Sequence, residues 1–559
     1  MLRIRNYFIT SAVVFAISSA YAVIGVQDAK AQEGAALGDL IKRIEALESK
    51  GGGNVTAGKI RGLKIGFNVR HRYEARSNDF RVNTNVPTLQ TDGTYRYSRA
   101  QQAGQAHRSR IPTIDFTLQR ARLSFDADVN KNVRAYINLQ DVRAFGEGRN
   151  TSGNIAGTDL SEGYVELRQL GDLSSLLENV ELRIGRWQAH YGNHRLIGHL
   201  NWANFGRHWD GARLKYSNKK NFWVDAFVFQ IDETITGGTA QGTGNLSNTT
   251  HSQTNQDEVL WGIYSQYKFG GALKGVLVEP YLITRSESTE EDTTNATNTV
   301  VGNETRWTAG FRLDGKKIAG LGGLDFTVEP AWQFGTVKYD MNARSVTGNL
   351  LGQGDDAQLD PALRESAPIE AWAIYAGAGY RFNDIPWSPR IGYAYVAASG
   401  DDNYGSGSHK TFDHLYPTGH AQMGYMDYAV WQNMKNHQIH LNLKPTKKLV
   451  IDTKVHFFEL DEVQDSWYNV VGGTGNGAVG GGGEIRRGAD TVVDHNGVLK
   501  SVDDDLGQEI DVTLKYKLFK NFGVVAGYSH FWADDFIEDI NAGVDSGVDW
   551  FYLQTTVKF

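Results

Sequence analysis

From Lys59 to the last residue, apolar and polar side chains alternate with the period of two that an extended strand imposes. In KIGFNVRHRYE, Ile65, Phe67, Val69 and Tyr73 interleave with Lys64, Asn68, Arg70, Arg72 and Glu74. The closing stretch repeats the pattern, with Phe551, Leu553, Thr555 and Val557 on one face and Tyr552, Gln554, Thr556 and Lys558 on the other, ahead of a terminal Phe559. Comparable alternation recurs about eighteen times. It predicts strands over 59–76, 113–129, 132–145, 161–170, 180–191, 207–217, 221–231, 258–268, 275–286, 304–314, 324–337, 369–382, 388–399, 434–444, 448–460, 506–518, 522–533 and 548–559.

The connections sort by length. Short turns such as NKN (130–132), NKKN (218–221), KPTKK (444–448) and FKN (519–521) alternate with long polar stretches such as 232–257, 338–368, 400–433 and 461–505. A transmembrane barrel has short turns on its periplasmic side and long loops outside, whereas a soluble sandwich or propeller has no reason to divide its loops this way. The expected fold is all-β, a transmembrane antiparallel β-barrel of about eighteen strands with long extracellular loops and short periplasmic turns. The mean hydropathy of −0.41 agrees, because half of each strand and all of the loops face water. Trp307, Trp332, Trp372, Phe382, Trp387, Phe522 and Trp550 fall near strand ends and fit interfacial girdles.

The N-terminus has a different pattern. Arg3 and Arg5 precede an apolar run from about Phe8 to Val26, and small-x-small sites follow at Ala20-Tyr21-Ala22 and Ala29-Lys30-Ala31. Residues 1–31 therefore read as an export signal cleaved after Ala31, with Ala22 as the alternative site. Leu37, Leu40, Ile41, Ile44 and Leu47 then space a short amphipathic helix, so that 32–58 reads as a periplasmic helix and glycine linker ahead of an outer-membrane barrel over 59–559.

Composition narrows the chemistry. Of 559 residues, 63 are Gly, 25 Tyr, 25 Phe and 13 Trp against only 10 Pro, which suits one large aromatic-rich β body. Cys is absent, excluding disulfides and thiolate metal sites. A net charge of −7 gives no reason to expect a nucleic-acid partner. No Ser, His and acid triplet stands out, so neither an enzyme nor a cofactor is expected. HYGNHRLIGH offers His190, His194 and His199, but helical spacing means little on a strand running into a loop, and no metal site is expected there.

A barrel this wide holds an aqueous channel whose selectivity follows from the charge of its wall. The expected register turns Arg70, Arg72, Arg120, Arg122, Arg134, Arg183, Arg213, Lys215, Arg306, Arg312, Arg381, Arg390, Lys454 and Lys515 inward. It also turns in Asp126, Asp128, Glu166, Asp225, Glu329, Asp452, Glu509 and Asp511, giving a mixed wall with a basic tilt.

The blocks LRIGRWQAHYGNHRLIGHLNWANFGRHWDGARLKY (182–216), LQRARLSFDADVNKNVRAYINLQDVRAFGE (118–147), RIGYAYVAASGDDN (390–403) and KTFDHLYPTGHAQMGYMDYAVWQNMKNHQIHLNLKP (410–445) resemble the alginate-export family of outer-membrane porins. The resemblance implies an eighteen-stranded barrel in the bacterial outer membrane and a lumen lined with arginines that passes an acidic polysaccharide. The matching positions are Arg120, Arg122, Arg183, Arg186, Arg195, Arg207 and Arg213, and Arg134 and Arg312 join them on register as pore-lining, anion-binding candidates. Pairing of these arginines with Asp126, Asp128, Glu166 and Asp210 to neutralise the wall is the competing expectation. The terminal Phe559 resembles the signal read by the barrel-assembly machinery.

The expected function is a porin for small, anionic solutes; the alternatives are a secretion channel for an acidic exopolysaccharide such as alginate, or a scaffold around a periplasmic or surface protein. The expected partners are outer-membrane lipid and the anionic solute or polysaccharide. One loop is unusual: 400–433 carries Tyr404, Phe412, Leu415, Tyr416, Met423, Tyr425, Met426, Tyr428 and Trp431, too much apolar area for a solvated loop. It is expected to fold over or into the extracellular mouth.

Overall fold

The computed structural model describes residues 62–77, 88–89, 95–96, 114–145, 158–231, 256–289, 304–337, 367–402, 407–469, 483–487, 491–493, 499–540 and 547–559. Arg61–Phe559 form one compact unit. The expected export signal, amphipathic helix and glycine linker lie outside the described residues.

The barrel strands are β1 (Lys64–Ser77), β2 (Ile114–Asp128), β3 (Val133–Phe145), β4 (Thr158–Leu167), β5 (Val180–Trp187), β6 (Trp209–Ser217), β7 (Phe222–Ile231), β8 (Gln256–Lys268), β9 (Val276–Thr289), β10 (Glu304–Lys316), β11 (Leu324–Val337), β12 (Ala367–Arg381), β13 (Arg390–Ala398), β14 (Met434–Leu443), β15 (Leu449–Glu459), β16 (Asp505–Phe519), β17 (Phe522–Ala533) and β18 (Val548–Lys558). They form one 18-stranded sheet in which each strand pairs with its neighbours in sequence. β1 pairs antiparallel with both β2 and β18, so the sheet closes on itself. Closure leaves no row of unpaired backbone groups for hydrocarbon to meet. The seam finishes at the last residue, where Phe67 N–H donates to Phe559 O at 2.8 Å and Phe559 N–H donates to Phe67 O at 3.0 Å. Every expected strand is present; the one expected at 161–170 runs earlier, Thr158–Leu167.

Burial is inverted relative to a water-soluble fold. The exposed apolar set includes Ile65, Tyr73, Leu123, Ile137, Val165, Ile184, Leu214, Ile391, Phe551 and Leu553, each on the outward face of its strand. The buried set includes Arg70, Arg72, Arg306, Arg312, His456, Glu509 and Asp511, all on strands and facing inward. Water around such an outer face would forgo ~25 cal/mol for every Å² of apolar area left wet; lipid removes that penalty. Trp332, Trp372, Phe382 and Trp387 are exposed on the outside, as girdle residues should be. Trp550 is not: it shares the inward parity of Tyr552, is 1 % exposed, and packs against Trp202 and Tyr552 inside the barrel.

The apolar core sits within the lumen. Two long connections, 188–208 between β5 and β6 and 399–433 between β13 and β14, turn inward and supply much of it, including Leu196, Ile197, Phe412, Leu415, Met423, Met426, Tyr428 and Trp431. The aromatic-rich loop thus folds inward as expected, apart from Tyr404, which lies outside the described residues. The inward course of 188–208 is a correction to the expected strands 180–191 and 207–217, which stop at Trp187 and begin at Trp209. Its side chains are too bulky and apolar for a solvated loop, the same physical reason that drives 399–433 inside.

Candidate channel interior

The two inward loops are joined backbone to backbone. Gly198 N–H donates to Tyr416 O, Tyr416 N–H to Leu196 O and Thr418 N–H to His194 O, each at 2.8 Å. Gly198 is required by this approach, since a Cβ there would collide with the Thr418 side chain and come within 2.6 Å of its amide nitrogen. Arg207 is half-buried at the junction, where its Nη1 donates to Pro417 O at 3.0 Å and its guanidinium lies 5.4 Å from the Tyr416 ring centre. Burial pushes its pKa down to about 10, so it stays charged at neutral pH.

Side chains of the wall tie this plug down all round. Arg195 pairs with Glu329 of β11 at 2.5 Å and lies over the Tyr375 ring at 3.5 Å. Arg285 of β9 pairs with Asp413 at 2.6 Å. Glu509 of β16 accepts from Met426 N–H at 3.0 Å, and Lys454 of β15 donates to Ala421 O at 2.6 Å. Trp202 is held between the Arg72 guanidinium, 3.8 Å from its ring centre, and the stacked His420 ring at 4.1 Å. His420 in turn contacts Asp427 at 3.0 Å. Leu200, Leu415 and Asp427 all hold positive φ within these loops, a local strain maintained by the surrounding contacts.

The wall arginines fall into sets defined by their partners. On β1 and β2, Arg70 donates to Asn201 O and Ala203 O at 2.7 and 3.1 Å, and Arg120 donates to Asn201 O at 3.3 Å. Arg122 donates to Gln140 Oε1, Asn201 Oδ1 and Phe205 O at 2.8, 3.2 and 3.1 Å. Among the described residues none of these three forms an ion pair, whereas Arg72 beside them pairs with Glu74 at 2.6 Å. Further toward the short-turn end, Arg134 pairs with Asp126 at 2.7 Å, and Glu166 gathers Arg134, Arg183 and Arg213 at 3.3, 2.5 and 3.7 Å. Arg312 on β10 is held by Glu279 and Asp314 at 2.7 and 2.9 Å.

Six of the nine candidate arginines, Arg120, Arg122, Arg134, Arg183, Arg213 and Arg312, therefore stand on the inner wall, four of them neutralised by carboxylates. Arg195, buried, and Arg207, half-buried, belong to the plug and fasten it. Arg186 departs from its expected place: it shares the outward parity of exposed Ile184 rather than that of Arg183, and pairs with Asp210 at 2.6 Å. A strand's alternation separates neighbours three residues apart onto opposite faces, so a motif that holds both arginines cannot aim both at the lumen.

Three residues with no expected role meet in the plug. His190, His194 and His199 each have a ring nitrogen within 4.8 Å of the other two. Partial burial lowers the pKa of all three and, with smaller contributions from the neighbouring histidines and, for His199, from Arg122 and Arg120, holds His194 and His199 at about 4. Linear spacing gave no sign of this, because the loop doubles back on itself.

Comparison with known proteins adds a sequence match and several resemblances of shape. A family model described as alginate export matches residues 61–546. No curated protein sequence matches the chain significantly. Similar solved structures include three outer-membrane proteins of Pseudomonas aeruginosa. OpdK, solved with vanillate, has a TM-score of 0.48 and 11 % identity, covering 89 % of this chain and 99 % of its own. OccK2, solved with glucuronate, has a TM-score of 0.48 and 12 % identity, covering 89 % and 98 %. OccD3 has a TM-score of 0.47 and 15 % identity, covering 89 % and 92 %.

Proposed function

The chain belongs to the alginate-export family of outer-membrane channels, and from that premise we propose that it passes small anionic solutes along the arginine arc of β1 and β2, beside a plug made from its own two loops. The observation that carries this reading is the partnering of Arg70, Arg120 and Arg122, whose guanidiniums meet neutral carbonyl and amide oxygens instead of carboxylates. A solute carboxylate is a stronger partner than a neutral carbonyl, and guanidinium can hold it through two parallel hydrogen bonds. Several such sites in sequence allow capture and release, as conduction requires. Their positive charge acts across a confined aqueous path where the Debye length is ~8 Å at physiological salt.

An acidic polysaccharide would use the same wall, but a polymer needs the plug displaced. The paired loops occupy the space that a threaded protein partner would take, which argues against the scaffold reading. The channel role needs neither catalysis nor a cofactor. The exposed terminal Phe559, bonded to β1, is offered to the assembly machinery as the barrel closes.

Planar-bilayer recording across a potassium chloride gradient tests the reading. An anion-selective reversal potential is expected, and a cation-selective one would overturn it.

A further inference from the structure

The histidines at 190, 194 and 199 differ chemically from the anion path around them. Loop 188–208 brings them together by folding back: Tyr191 N–H donates to Ile197 O at 3.1 Å and His194 N–H to Tyr191 O at 2.9 Å. Gly192 and His194 take positive φ at the bend. The ring centres of His190 and His194 are 4.5 Å apart, those of His194 and His199 4.6 Å, and those of His190 and His199 5.2 Å. His190 is exposed and the other two half-buried, so the group opens to lumen water. Among the described residues the rings of His190 and His194 make no hydrogen bond, and His199 Nδ1 accepts only a long one, 3.3 Å from Asn201 N–H.

We propose that His190, His194 and His199 form a binding site for a divalent transition-metal ion of the zinc, nickel or copper class, with the remaining coordination position open to the lumen. Neutral imidazole is a ligand these ions favour over the hard cations calcium and magnesium. Three histidines with an open fourth position form a recurrent zinc arrangement. A neutral imidazole keeps one ring nitrogen free of a proton, and that nitrogen is the one that would face the ion. Metal–nitrogen bonds of about 2.0–2.1 Å place tetrahedral ligands roughly 3.3 Å apart. Nitrogens that stand up to 4.8 Å apart must therefore close by up to about 1.5 Å, within reach of side-chain torsions. Arg120 and Arg122 add positive charge near His199, which favours an anion as the fourth ligand. A bound ion would also staple the fold-back of a loop that carries half of the plug.

The test is calorimetric titration of the full-length barrel in detergent with zinc chloride, with calcium chloride as control. One saturable zinc site per chain is expected in the wild type, together with its loss in H190Q/H194Q/H199Q when that variant still shows the heat-dependent gel mobility of a folded barrel. Should the triple variant fail to fold, His190→Gln and His199→Gln singly are each expected to weaken the site. Absence of a saturable site in the wild type, or zinc binding unchanged in a folded variant, would overturn the proposal. This readout is independent of conductance and of the anion-channel reading.

Discussion

The two sides of the lumen use the same side chain differently. On β9 and β10, Arg285 meets Glu304 and Asp413 at 2.6 Å each, Arg306 meets Glu304 at 2.7 Å, and Arg312 meets Glu279 at 2.7 Å. On β1 and β2, Arg70, Arg120 and Arg122 meet backbone carbonyls and side-chain amides of residues 140 and 201–205. Both arrangements engage the guanidinium's donors, but only the first does so through carboxylates. Local countercharge, not the arginine itself, decides whether a wall guanidinium is neutralised where it stands.

The largest change is expected from removing what both sides hold. Deleting residues 405–425 takes away Asp413, Tyr416 and the carbonyls that Arg207 and Lys454 grip, and should raise single-channel conductance strongly while the barrel stays folded. Unchanged conductance would mean that this loop does not limit the pore.

A second contrast concerns stability. Arg285→Ala leaves the buried carboxylates of Glu304 and Asp413 with Arg306 as their shared partner and should cost ~3 kcal/mol or more. Arg120→Ala leaves only neutral oxygens unpaired and should cost ~1–3 kcal/mol. Urea unfolding in detergent, followed by tryptophan fluorescence, compares the two; equal losses would remove the distinction between the sides.

A smaller effect follows from acid. Burial holds His409 and His414 in the plug at about 4, below the ordinary value of 6.5. The displaced plug therefore binds more protons than the seated one between these values, and seating is favoured in full above pH 6.5 and is lost as pH falls toward 4. Open probability in bilayers should rise over that window, and a flat profile would count against the seated geometry.

The barrel was legible in the sequence because its signal is repetitive: alternation fixed each strand's faces, and the ordering of turns by length fixed which end was which. The inward course of 399–433 was legible from its load of Phe, Tyr, Met and Trp. The partner loop was hidden because QAHYGNHRLIGHLNWANFGRH continues the alternation of β5 for several residues, so strand and plug merged in the linear pattern. Arg186 was misplaced for a related reason, since a shared motif says nothing of parity, while Trp550 was assigned by nearness to a strand end alone. The histidine group depends on the fold-back of its own loop, and the choice between carboxylate and carbonyl partners on contacts between distant residues, such as Arg70 with Asn201, which no periodicity encodes.

The most direct measurement of the central claim is the reversal potential of R70Q/R120Q/R122Q under a salt gradient, set beside that of R285Q/R306Q/R312Q with barrel folding verified for both. The account predicts that anion selectivity falls sharply in the first variant and is largely retained in the second. Equal loss in both, or an unchanged potential in the first, would contradict it.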